Sequence, residues 1–158
     1  PSSLIRLSAL QLLHLSHNVL TGTLPAVLGS FSQLSLLSLG GNNFSGAIPA
    51  SLSALNGTLT SLRLFGNFLN GTVPAELGAL RRLQDLSLYS NRLSGSLPSA
   101  LGELSGLELL DVVDTLLTGP LPATFGQLAS LKYLLVAFTS IGGALPPSVA
   151  NMTSLDQV

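Results

Sequence analysis

The sequence predicts a solenoid of the α/β repeat class, with one parallel sheet on a concave face, short 3₁₀ or irregular segments on a convex face, and little regular helix. Three observations predict it. One frame recurs along the whole chain: Asn91 is preceded by Leu83, Leu86 and Leu88 and followed by Leu93, Gly95, Leu97 and Pro98. The frame fits HLSHNVLTGTLP at Asn18, SLGGNNFSGAIP at Asn42 and RLFGNFLNGTVP at Asn67, then DVVDTLLTGPLP and VAFTSIGGALP with Thr115 and Thr139 in the Asn place. The copies fall 24 residues apart, or 25 once, and a fixed period in the twenties with an LxxLxL core marks stacked turns.

Within each turn the leucine pair before the Asn alternates with polar or variable residues, the period-two signature of a strand with one buried face. Leu13 and Leu15, Leu37 and Leu39, Leu62 and Leu64, Leu86 and Leu88, Leu110 and Val112, and Leu134 and Val136 are the inward residues. Stacking at about 4.8 Å per strand joins them into a single parallel sheet. Asn18, Asn42, Asn67 and Asn91 then form a column at the strand ends. An amide there both donates to and accepts from backbone groups that the bend leaves unpaired, and Thr115 and Thr139 do part of that work with one hydroxyl.

Gly22, Gly46, Gly71, Gly95, Gly119 and Gly143 follow at fixed offset and suit a tight bend. Pro25, Pro49, Pro74, Pro98, Pro122 and Pro146 come three residues later, where a proline opens a short helical turn without losing a hydrogen bond. Segments such as AVLGSF and AELGAL are long enough only for a turn of 3₁₀ helix. The one extra residue falls in LSALNGTL, which reads as a bulge on the convex side. A seventh turn begins at Met152 and Leu155 and is cut at Val158. With the first turn opening at Leu4 and Leu7, residues 1–158 read as one solenoid segment of a longer chain, without the end turns a solenoid needs to cover its apolar faces.

Apolar residues make up 46% of the 158 and charged ones only 8%, yet polar residues and turn formers break every apolar run well short of the roughly 20 residues of a spanning helix. Any membrane link is therefore expected outside this segment. The net charge of −1 and the scatter of Arg6, Arg63, Arg81, Arg82, Arg92 and Lys132 argue against phosphate neutralisation on a nucleic acid. Without cysteine there is no disulfide, thiolate metal site or thiol nucleophile.

The pattern NxLxGxIPxxLGxLxxLxxLxL resembles the plant-specific leucine-rich repeat of receptor-like kinase and receptor-like protein ectodomains and of polygalacturonase-inhibiting proteins. That resemblance covers essentially the whole chain and implies a non-catalytic, extracellular module that recognises a protein or peptide, with a co-receptor as a further partner and no cofactor. A secreted enzyme inhibitor is the alternative it leaves, beside a structural subunit or a wall- or ice-binding surface, and beside an intracellular scaffold. Departures are the two Thr in the Asn column, the extra residue, and the missing cysteine-bearing caps.

Candidate binding residues lie on the outward strand positions. Two residues before the Asn column these are Ser16, Gly40, Phe65, Tyr89, Val113 and Ala137; four before, Arg63 and Asp111 stand among them; six before, Asp85 and Tyr133. Arg63, Phe65, Asp85, Tyr89, Asp111, Val113 and Tyr133 form an aromatic and apolar stripe edged by charge, with Asp114 and Phe138 at its border, and such residues anchor interfaces. Cross-strand tiling of the kind expected of Glu108 and Lys132 is the structural alternative.

His14 and His17 stand about three turns, roughly 14 Å, from the nearest strand-face acid, Asp85, too far for a His–carboxylate couple. Asp111 and Asp114 lack the further oxygen ligands that calcium requires. Arg81 and Arg82 read as a solubilising convex pair. Sequons stand at Asn43, Asn56, Asn70 and Asn151; none falls on an outward position of the concave strands, so glycans there leave that face open.

Overall fold

The computed structural model describes residues 7–157, so Leu4 and Arg6, and Val158 at the end of the seventh turn, lie outside the described residues. Each repeat contributes a three-residue strand to the concave sheet: β1 (Leu12–His14), β3 (Leu36–Ser38), β5 (Ser61–Arg63), β7 (Asp85–Ser87), β9 (Leu109–Asp111) and β11 (Tyr133–Leu135). They stack in chain order, all parallel and in register, with Leu13, Leu37, Leu62, Leu86, Leu110 and Leu134 forming one inward column. From Leu37 to Leu134 the members of that column are buried against the leucines and phenylalanines of the convex segments, including Phe31, Leu77, Leu101 and Phe125. Leu15, expected inward, is 40% exposed, because it follows the edge strand β1.

A second sheet departs from the sequence expectation of one. The residues after the Asn column form β2 (Thr21–Thr23), β4 (Asn43–Gly46), β6 (Phe68–Gly71), β8 (Arg92–Gly95), β10 (Leu116–Gly119) and β12 (Ser140–Ile141), again parallel neighbours in chain order. The glycine assigned to a bend is the last residue of four-residue strands β4, β6, β8 and β10, with φ between 76° and 79°. Extended chain thus runs up to the left-handed residue that ends it.

The residue just before the Asn column is left-handed in all six repeats: His17, Gly41, Gly66, Ser90, Asp114 and Phe138 have φ of 51° to 63°. This turns the chain from the concave to the second sheet, and the column residue ties down the bend. Asn67 Nδ2 donates to the carbonyls of Leu39, Leu64 and Phe65, while its Oδ1 accepts from Phe44 N at 2.9 Å. Asn42 and Asn91 repeat the pattern. Thr115 Oγ1 donates only to Val112 O, and Thr139 Oγ1 donates to Val136 O and accepts from Ile141 N.

Convex segments are 3₁₀ turns of five residues, each preceded by its proline, except Ala50–Leu55, which has six and absorbs the extra residue. Turn-to-turn contact there is close enough to require glycine. A Cβ on Gly78 would lie 2.3 Å from Ala100 O, and one on Gly102 2.5 Å from Thr124 O.

Candidate functional site

The concave positions two residues before the Asn column carry a continuous aromatic stack. Phe65 and Tyr89 lie ring over ring, centroids 4.7 Å apart and planes 3° from parallel, and His17 meets the other end of Phe65 at 5.8 Å. Gly40 makes the room. A Cβ there would stand 2.5 Å from the Phe65 ring, so the phenylalanine leans across the second repeat toward His17. Offset and tilted aromatic pairs of this kind gain about 0.5–1.5 kcal/mol beyond area burial. His17, which the sequence places too far from Asp85 for a carboxylate couple, belongs to the stack; the signal was the small pair Gly40–Gly41 between it and Phe65.

Charge on this face is less free than the sequence suggested. Asp85 Oδ2 accepts from Arg63 Nε at 2.5 Å and from Ser61 Oγ, while its Oδ1 accepts from Ser87 Oγ at 2.8 Å. Arg63 and Asp85 are therefore committed to each other across neighbouring strands. Asp111, in the next repeat, differs: its Oδ1 accepts from Val113 N at 3.1 Å, and Oδ2 has no hydrogen-bond partner among the described residues. Burial pushes the Asp111 carboxyl above its ordinary value, the Val113 amide draws it back, and the charge of Asp85 adds to the rise. Tyr89 is also pushed up, by burial and then by Asp111.

Val113 is half-buried beyond Tyr89, while Tyr133 and Phe138 are exposed, Phe138 at 85% despite its left-handed backbone. The seven predicted residues thus share one face, with Phe65, Tyr89 and Val113 forming its spine. Glu108 and Lys132 pair at 2.7 Å at its edge. On the convex side Arg81 pairs with Glu103 and Arg82 Nη1 donates to Gly57 O, so this pair staples repeats together rather than merely solubilising them. His14 and His17 join no cluster of three or more His, Asp or Glu side chains among the described residues. An apolar cavity of about 300 Å³ bounded by Leu10, Leu28 and Phe44 lies among side chains of the first two repeats, and none of the outward concave positions lines it.

All four sequon asparagines are exposed. Asn43 and Asn70 stand on β4 and β6, so they lie on a sheet after all, though not the concave one. The second sheet also carries a hydroxyl column the concave face lacks. Ser45, Ser94 and Thr118 donate at 3.4–3.5 Å to Gly22, Gly71 and Gly95 of the preceding repeat.

Two sheets and a row of 3₁₀ turns, repeated six times around a leucine column, define a non-globular scaffold that presents a concave strand face. The chain belongs to the leucine-rich repeat family: the Leucine Rich Repeat model matches residues 9–31, 33–55, 58–80 and 82–104. Among solved structures it is similar to the plant peptide hormone receptor RGFR1 in complex with RGF2, at 32% identity and TM-score 0.82 over 100% of this chain and 29% of that one. It also resembles the LRR ectodomain of the plant membrane receptor kinase GASSHO1/SCHENGEN3 from Arabidopsis thaliana in complex with CASPARIAN STRIP INTEGRITY FACTOR 2, at 34% identity and TM-score 0.74, over 99% of this chain and 22% of that one. The Leptospira interrogans LRR protein LIC12759 matches at 31% identity and TM-score 0.87, over 99% and 38%. The chain thus spans less than a third of the two plant receptor chains, and the fold is not confined to plants. Comparison with curated protein sequences finds no match. No helix among the described residues is long and apolar enough to cross a membrane.

Proposed function

We propose that this chain is a non-catalytic recognition module whose concave sheet binds a protein or peptide, as part of a plant-type receptor-like ectodomain on the extracellular side. The observation that carries it is the half-exposed stack of Phe65 on Tyr89, continued by Val113, on a face whose inward leucines already complete the core. An aromatic stripe standing outside the core adds nothing to core packing and has the composition of an interface anchor. The likeness to the peptide hormone receptor RGFR1 in complex with RGF2 and to GASSHO1/SCHENGEN3 in complex with CASPARIAN STRIP INTEGRITY FACTOR 2 supports the same partner class. Exposed Asn43, Asn56, Asn70 and Asn151 support passage through the secretory pathway, where glycans would dress the second sheet and the convex side.

The test is a selection of random dodecapeptides on the chain, followed by retesting on a Phe65→Ala/Tyr89→Ala double variant. Loss of binding by about tenfold or more, the scale of an interface anchor, is the expected result; binders indifferent to the double change place recognition elsewhere. A surface that binds ice or wall polymer is the second reading, and the hydroxyl column of the second sheet favours it. Asn43 and Asn70 interrupt that surface, and the Ser45, Ser94 and Thr118 hydroxyls are turned to neighbouring carbonyls.

A further inference from the structure

We propose, resting on the recognition reading above, that the partner is an extended peptide segment with a basic residue, arginine foremost, seated beside the Tyr89 ring and the Asp111 carboxylate. An apolar side chain two or three residues away lies over Val113 and Leu135.

The argument starts from the unequal states of two neighbouring acids. Asp85 is saturated by Ser61, Arg63 and Ser87. Asp111 sits one repeat further with a single amide donor, half-buried, and no cation beside it among the described residues. The arginine and the lysine near this face are already held, Arg63 by Asp85 and Lys132 by Glu108. Asp114, exposed three residues on, adds a second negative charge without an ion pair among the described residues. The fifth repeat therefore carries negative charge that the protein does not balance.

A half-buried carboxylate is where an incoming cation gains most, because screening by water is weakest there. The adjacent aromatic ring favours a planar cation over a point charge, since a guanidinium stacks on a ring face while its fork donates to both carboxylate oxygens. The one cation–π contact among the described residues, Arg92 over Phe68, lies on the second sheet, so the concave stack has no guanidinium from this chain. Spacing sets the rest of the motif. Val113 and Leu135 lie one to two repeats beyond Tyr89, roughly 5–10 Å at the strand spacing, which an extended peptide covers in about two or three residues.

The experiment uses the same random dodecapeptide library, selected on the wild-type chain and on Asp111→Lys. Wild type is expected to enrich arginine and lysine, the reversed charge to lose that enrichment. A selected peptide should bind Asp111→Asn about tenfold more weakly, and its affinity should fall as salt rises from about 50 to 500 mM. The amide variant is a fair control for folding. Because the folded-state pKa of Asp111 is raised, ionisation weakens the fold as pH climbs above the ordinary 3.8, so Asp111→Asn should melt no lower than wild type at pH 7. Replacing the peptide's own arginine by glutamine puts the same question to the unaltered protein. Peptides that need Phe65 and Tyr89 but show no basic enrichment, or bind Asp111→Asn unchanged, overturn this inference and leave the recognition reading standing. Self-association through this face that Phe65→Ala/Tyr89→Ala abolishes overturns this inference alone, whereas no binders at all, or binders indifferent to Phe65 and Tyr89, overturn both.

Discussion

Asn67 shows how much one side chain does in this fold. Its amide closes three carbonyls and one N–H that belong to its own repeat and the one before it, in a place where water does not reach. Removing a partner from a buried backbone group costs about 1–3 kcal/mol, so Asn67→Ala should lower stability in urea unfolding by about 2–4 kcal/mol. Asn18→Ala, at an exposed position where water takes over, should cost less than about 1 kcal/mol. Equal losses at both positions would refute the ladder as a buried hydrogen-bond device. The column was legible in the sequence because its offset from the leucines never changes. Commitment of Arg63 to Asp85 was harder to see, since the two stand in different columns and meet only on the diagonal between adjacent strands.

Between repeats, what counts is the distance of approach of each element to the next. The 3₁₀ turns stack with backbone against backbone, and Gly78 and Gly102 mark where. Gly78→Ala would drive a methyl into Ala100 O at 2.3 Å, and should destabilise by about 1–3 kcal/mol, the scale of overpacking. Gly57→Ala meets nothing within 4 Å at an ordinary φ, and should fall within about 0.5 kcal/mol of wild type in the same unfolding assay. The second sheet escaped the sequence reading for a local reason. Strands such as Arg92–Gly95 end in a glycine with positive φ, and four residues of weak alternation closed by glycine look the same as a bend. What makes them strands is pairing with identical segments of neighbouring repeats, a property of the stack.

As a whole molecule the chain separates three surfaces by chemistry. The convex side is stapled by Arg81 with Glu103 and Arg82 with Gly57; the second sheet carries hydroxyls and two sequons; the concave face carries the aromatic stack and the unbalanced acid. Leucine spacing reveals which residues face outward, and so the whole stripe from Arg63 to Tyr133. It does not reveal the lean of Phe65 over Gly40 or the satisfied state of Asp85, which depend on side-chain conformations across repeats. Division of labour among the faces can be tested with a single glycan. Val113→Asn would turn positions 113–115 into a sequon ending in Thr115, placing a sugar on the concave face, whereas the natural sequons lie off it. The measurement is the affinity of a selected peptide for wild type and for this variant, both secreted from a glycosylating host, with occupancy of position 113 verified by mass. Binding lost on the occupied variant, and kept by wild type with its own sequons filled, is the predicted result; undiminished binding to the occupied variant would contradict recognition by the concave face.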